Sequence, residues 1–249
     1  MRPDLVFLLV VLALCFLSMA AFRLRYDDSY SDPLESHNRG TFVLGDFVKA
    51  WFYWIIAPAV RWVIQARISP TFFNLTGVFF GMVAGAAFAF GLPVLGGWGI
   101  LLGGIADIFD GRVARSRGIA SPRGAFLDST LDRFAEVGVF AGLAIYFHPW
   151  PLMTMTVALA LGGSLLVSYA RARGESQGVT CKVGVMQRAE RLLLLGFAGL
   201  LDPSITGWLQ RPPGRLLALV VSLIAVGTVA TAVYRTVWIA RRLPDAKPS

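Results

Sequence analysis

Aspartates stand at positions 107, 110, 128 and 132 of a 249-residue chain in which only 15% of residues are charged. On a helix, residues three or four apart share a face, so Asp107 pairs with Asp110 and Asp128 with Asp132. The stretch between the pairs, SRGIASPRG, is short enough to make two helices antiparallel neighbours, which brings both carboxylate faces together. Ionised carboxylates at membrane depth cost about 2.5 to 3.5 kcal/mol each on insertion scales, and four in one place also repel each other. Something cationic must offset that charge. Arginine is one candidate; a set of oxygen-only ligands is also what magnesium, calcium or manganese prefers. Two divalent ions about 3.5 to 4 Å apart would neutralise the cluster and clamp a phosphoryl group. Gly111 and Ala114 keep the face beyond Asp107 free of bulk, and Arg115, two turns on, directs a guanidinium fork at phosphate oxygens.

The elements that must position these groups are membrane helices. The chain is 56% hydrophobic with a mean hydropathy of +0.64, and several apolar runs approach the roughly 20 residues needed to cross a bilayer. The fold class expected is an all-α polytopic membrane protein. Six spans are expected near 72–92, 97–116, 127–147, 152–171, 190–208 and 216–237. Connections at GLPVLGG and HPWP hold no lysine or arginine, whereas the alternate ones hold Arg112, Arg115, Arg117 and Arg123, then Arg171, Arg173, Lys182, Arg188 and Arg191. The positive-inside rule therefore puts the basic connections and the tail, 241–249, in the cytoplasm. Arg211 and Arg215 dissent, falling on the expected outer side. Net charge of +8 fits loops and anionic head groups, and no nucleic-acid motif is present.

Ahead of these spans, residues 1–25 read as an uncleaved N-terminal anchor: Arg23 and Arg25 follow the apolar run 5–22 and favour keeping that side in the cytoplasm. Residues 26–45 read as a polar linker, and the stretch from Asp46 to Ser69, rich in tryptophan and arginine and interrupted by Pro58, as an amphipathic helix lying in the interface. Cys15 and Cys181 form no ligand spacing and read as unpaired thiols. Gly77, Gly81 and Gly85 recur every fourth residue, a pattern that lets helix backbones approach closely.

Residues 107–132 resemble the signature of the CDP-alcohol phosphotransferase family, D-x2-D-G-x2-A-R-x8-G-x3-D-x3-D, at every specified position: Asp107, Asp110, Gly111, Ala114, Arg115, Gly124, Asp128 and Asp132. The similarity in layout extends over 69–240. The resemblance implies a six-helix core in which Asp107, Asp110 and Asp128 bind two metal ions, Mg2+ or Mn2+, while Asp132 serves as metal ligand, general base, or both. It implies contacts to the CDP moiety from Gly111, Ala114, Arg115 and Gly124. It further implies a homodimer in the cell membrane, with the reaction on the cytoplasmic side. An alcohol hydroxyl would attack the β-phosphorus of a CDP-linked substrate, with CMP leaving.

Upstream, SPTFFNLTG resembles the family's T-P-N-x-x-T stretch with Thr71 and Asn74 exchanged, which adds both to the nucleotide contacts. Downstream, SYARARG and QRAERL resemble the region of members that use inositol phosphate, with Ser168, Arg171, Arg188 and Arg191 as acceptor phosphate ligands and Ala189 where proline is usual. The expected substrates are CDP-diacylglycerol and a phosphorylated polyol, inositol phosphate first and glycerol 3-phosphate second. The rival reading of intramembrane aspartates is a cation or proton pathway. Against it, the outer halves of the spans are Leu, Val, Phe and Gly, so the polar site opens one way only.

Overall fold

The computed structural model describes residues 3–24, 46–181 and 183–244, all helices and connections, with no strand among them. The expected linker at 26–45, Arg25, Lys182 and the tail residues 245–249 lie outside the described residues. The helices are α1 (Pro3–Arg23), α2 (Asp46–Gln65), α3 (Pro70–Ala89), α4 (Pro93–Ser116), α5 (Pro122–Tyr146), α6 (Pro151–Ser176), α7 (Arg188–Trp208) and α8 (Arg215–Ala240). Four of them, α3, α4, α6 and α8, are long and apolar enough to cross a membrane, which makes this a multi-pass membrane protein. The other two of the six expected spans, α5 and α7, are 25 and 21 residues long but carry the acidic and basic residues of the site.

Five helices begin on a proline, Pro3, Pro70, Pro93, Pro122 and Pro151, where a missing N–H costs nothing and φ is already helical. Two of these starts have a serine cap: Ser69 Oγ accepts from Phe72 N and Ser121 Oγ from Gly124 N. These caps explain why α3 and α5 start two to five residues before the apolar runs. Gly124 consequently lies in the first turn of α5. At the other end α6 runs to Ser176, so Arg171 and Arg173, expected in a connection, are helical.

The bundle is packed on small residues. A Cβ on Gly81 would fall 2.6 Å from Ala135 Cβ, and on Gly85 it would strike the backbone carbonyl of Gly138, so α3 and α5 touch almost backbone to backbone. Gly99 lies as close to α3, at Ala84, and Gly97 to α7, at the Gly196 carbonyl. Beyond these contacts Phe88, Phe140, Leu143, Leu217, Val221 and Ile224 are buried in one core. At the end of the bundle away from the aspartates, the buried Asp202 carboxylate accepts from Gly214 N at 2.7 Å, Leu216 N at 2.9 Å and Leu217 N at 3.2 Å. It caps α8 as a serine would, with charge facing the helix's positive end. The dissenting Arg211 and Arg215 are exposed beside this cap.

α2 packs against the aspartate-bearing end of α4 through Tyr53, Ile56, Val60 and Val63, which meet Phe109 and Val113. The opposite face carries exposed Ile55, Arg61 and Trp62, and Pro58 sits inside the helix without breaking it. Two arginines of α4 and its cap fasten α2. Arg112 lies over the Tyr53 ring at 4.5 Å, and Arg117 donates to the Ile64 and Ile68 carbonyls at 3.0 Å each. Both cysteines are free.

Candidate active site

The sequence places two carboxylate pairs on α4 and α5, and packing of both helices on α3 decides that they meet. Ligand oxygens of Asp107, Asp110 and Asp128 all lie within 4.8 Å of one another. Asp110 is 5% exposed, and its Oδ2 is buried without a hydrogen-bond partner. Three convergent carboxylates, one with an unsatisfied buried oxygen, suit a hard divalent cation. The residues present therefore fit the expected metal.

Asp132 joins this cluster through α7. Arg188, the first residue of that helix, donates from Nη1 to Asp107 Oδ1 at 3.0 Å and from Nη2 to Asp132 Oδ1 at 2.7 Å. One guanidinium thus spans both carboxylate helices. Arg133 also approaches Asp132, its Nη1 3.9 Å from Oδ2, while donating to the Ser129 carbonyl. Of the cations considered from sequence, arginine accordingly supplies part of the compensation.

One turn deeper α5 and α7 are joined again. Arg191, 1% exposed, pairs with Glu136, 5% exposed: Nε donates to Oε1 at 2.9 Å, with Nη2 2.8 Å from the same oxygen. Its Nη1 donates to the Met186 carbonyl at 3.1 Å. A cavity of about 30 Å³ lies between these pairs, lined by Asp132, Glu136, Arg188 and Arg191 together with Gly77, Gly81 and Gly103. Two glycines of the repeat read as packing, Gly77 and Gly81, also form part of the cavity wall.

The positions expected from the sequence to contact the nucleotide lie along α4 and the starts of α3 and α5. A Cβ on Gly111 would come within 3.0 Å of Arg115 Nη1, so glycine is what lets the guanidinium fold back along its own helix. Ala114 and Arg115 are half-buried, whereas Gly124 and Thr71 are exposed. Asn74 is half-buried with Oδ1 lacking a hydrogen-bond partner, and Thr76 Oγ1 is turned back to the Phe72 carbonyl at 2.7 Å.

The four acceptor candidates divide. Arg188 and Arg191 reach the cavity, although Arg191 is held in an ion pair that sequence did not foresee. Ser168 and Arg171 lie on α6, where Arg171 Nε donates to Glu175 Oε1 at 2.8 Å on its own helix and not to the aspartates. Glu136 and Arg235 were missed. Glu136 had a signal, since D-x3-D-x3-E continues the face of Asp128 and Asp132 by one more turn. Arg235 had none. Buried on α8, it donates to the Val183 carbonyl at 2.7 Å and the Val167 carbonyl at 3.0 Å, tying down the connection that leads to Arg188.

Residues 67–234 match the family described as CDP-alcohol phosphatidyltransferase, a span that contains every carboxylate of the cluster. The chain belongs to the CDP-alcohol phosphatidyltransferase family. It is an enzyme of phospholipid assembly, and this membership favours catalysis over the ion pathway weighed above. Among relatives of this transferase, the phosphatidylinositol phosphate synthase of Streptomyces avermitilis is 34% identical over 218 residues, covering 83% of this chain and 86% of that one. The archaetidylinositol phosphate synthase of Methanothermobacter thermautotrophicus is 36% identical over 179 residues, covering 72% and 87%. Crystal structures of the Mycobacterium tuberculosis phosphatidylinositol phosphate synthase share the fold. The one with CDP-DAG bound superimposes with a TM-score of 0.64 at 25% identity, covering 74% of this transferase and 93% of that chain. The complex with manganese and citrate gives 0.63 at 26%, covering 73% and 88%.

Proposed function

We propose that this transferase moves the phosphatidyl group of CDP-diacylglycerol onto a phosphorylated polyol, inositol phosphate in first place, with release of CMP. The observation that carries the acceptor reading is the position of Arg188: a guanidinium 2.7 Å from Asp132 stands where an acceptor's phosphate would lie while its hydroxyl meets that carboxylate. A neutral acceptor would bring no phosphate to the two arginines that line this cavity, Arg188 and Arg191. The two inositol phosphate-type relatives and the donor-bound mycobacterial structure support the same pair of substrates.

In this reading Asp107, Asp110 and Asp128, with Asp132, hold two divalent ions, Mg2+ or Mn2+; manganese in the mycobacterial complex supports the choice. The chemistry gained from bound divalent ions is neutralisation of charge on the pyrophosphate as it develops. Arg115, Gly111 and Ala114, with Gly124, Thr71 and Asn74, hold the CDP moiety. Asp132 takes the hydroxyl proton on a carboxylate oxygen as the acceptor oxygen bonds to the β-phosphorus and the bond to CMP breaks. Arg188 and Arg191, with Ser168 and Arg171, orient the acceptor, and that orientation sets the in-line approach.

The same proposal places the site on the cytoplasmic side of the cell membrane, with six spans in 69–240, an anchor at 1–25, a linker and interfacial helix at 26–68, a basic tail at 241–249, and a homodimer as the assembly. The test is CMP release by purified protein with CDP-diacylglycerol, Mg2+ or Mn2+, and a panel of alcohols. Turnover is expected with inositol phosphate, lost on chelation and restored by added metal. Preference for glycerol 3-phosphate would replace the first acceptor by the second. No CMP with any acceptor would overturn the reading.

A further inference from the structure

We infer that Glu136 is a positioning residue for the acceptor phosphate, acting through Arg191; this rests on the acceptor reading above. Asp132 with Arg188 and Glu136 with Arg191 form two successive rungs between α5 and α7, spaced one helical turn apart on each helix. Both rungs face the same small cavity. On the deeper rung a single carboxylate oxygen takes the edge of the guanidinium formed by Nε and Nη2, at 2.9 and 2.8 Å, and the Met186 carbonyl takes Nη1. Each terminal nitrogen carries two protons, so donors remain at the far end of the guanidinium. Nη2 is buried, and no hydrogen bond of good geometry satisfies it. Glu136 therefore fixes which edge of Arg191 is left for a ligand.

A structural role alone explains this pair poorly. Burying two charges is seldom more stabilising than apolar packing of equal volume. α5 and α7 already have an apolar alternative at hand, since Ala135, Val139, Leu192 and Leu195 line the same cavity. A charged rung one turn below Asp132 gains its value from orientation, because a guanidinium held by a carboxylate presents its remaining donors in one direction.

The experiment compares the full-length parent, Glu136→Gln, Arg191→Gln and the double variant, with CDP-diacylglycerol, Mn2+ and varied inositol phosphate or glycerol 3-phosphate. Glu136→Gln is expected to raise the acceptor KM about 10-fold, the worth of one charge-assisted hydrogen bond, and to leave the CDP-diacylglycerol KM within about 2-fold. The double variant should be no worse than Arg191→Gln. An unchanged acceptor KM in Glu136→Gln, an equal rise in both KM values, or independent effects that multiply would each overturn the inference. Where Glu136→Gln fails to fold, the double variant, which removes both buried charges, carries the comparison with Arg191→Gln. A parent that turns over neither phosphorylated acceptor overturns the acceptor reading and this inference with it, whereas an active parent with an indifferent Glu136→Gln overturns this inference alone.

Discussion

Asp132 is distinguished from the other three aspartates by its neighbours more than by its place in the signature. Asp107, Asp110 and Asp128 converge oxygen to oxygen, whereas Asp132 stands beside them with Arg188 on one oxygen and Arg133 approaching the other. A carboxylate flanked by cations and opening on a cavity is suited to receive a proton from a bound hydroxyl, and positioning, more than basicity, must supply its effect. Asp132→Asn is expected to slow CMP release by about 10²- to 10⁴-fold, the usual contribution of a positioned general base, with donor KM little changed. A variant as fast as the parent would assign the base elsewhere. The identities of all four aspartates were legible from spacing alone. Glu136 was not singled out, because a fifth acidic residue at the next turn looks like any helix face until its partner on α7 is known.

Helix packing depends on positions where no side chain fits. At Gly142, which faces α3, an added Cβ would run into the Gly85 carbonyl, so Gly142→Ala must push α3 and α5 apart. Overpacking of this kind costs about 1 to 3 kcal/mol. Because those two helices carry the proposed nucleotide contacts and two of the aspartates, the loss should appear both as a lower thermal unfolding temperature in detergent and as a lower rate. At Gly162, on α6, an added Cβ would meet nothing within 4 Å, and Gly162→Ala should be neutral or stabilising by about 0.5 to 1 kcal/mol, since mid-helix glycine is entropically costly. Equal behaviour of the two variants would show that backbone contact does not set the helix spacing. The repeat of Gly77, Gly81 and Gly85 is visible in the sequence but its partners, Gly103, Ala135 and Gly138, are not, because spacing within one helix says nothing about the helix opposite.

For the molecule in its membrane, the loop charges and the position of the site make one prediction. The connections after α4 and α6 lie at the end of the bundle that holds the aspartates, and those after α3, α5 and α7 at the other. With Cys15 and Cys181 replaced by serine, His148→Cys should react with a membrane-impermeant maleimide in intact cells, whereas Ala120→Cys should react only after the membrane is opened. Both positions are exposed, so access across the membrane is what the labelling reads. The reverse pattern would invert the topology. Arg211 and Arg215, exposed on the outer side by this topology, are consistent with the rule only as a minority against the basic residues of the other connections.

Local pattern settled the class of protein, the six core helices to within about five residues, and which carboxylates share a helix face, because hydropathy and helical period act over short stretches of chain. Tertiary packing alone decided that Arg188 reaches across α4 and α5, that Arg191 is committed to Glu136, and that Arg235 and Asp202 fasten the connections flanking α7. These partners are 12 to 81 residues apart in the chain, and a charged side chain shows no sign of which distant partner it will meet until the helices between them have been placed.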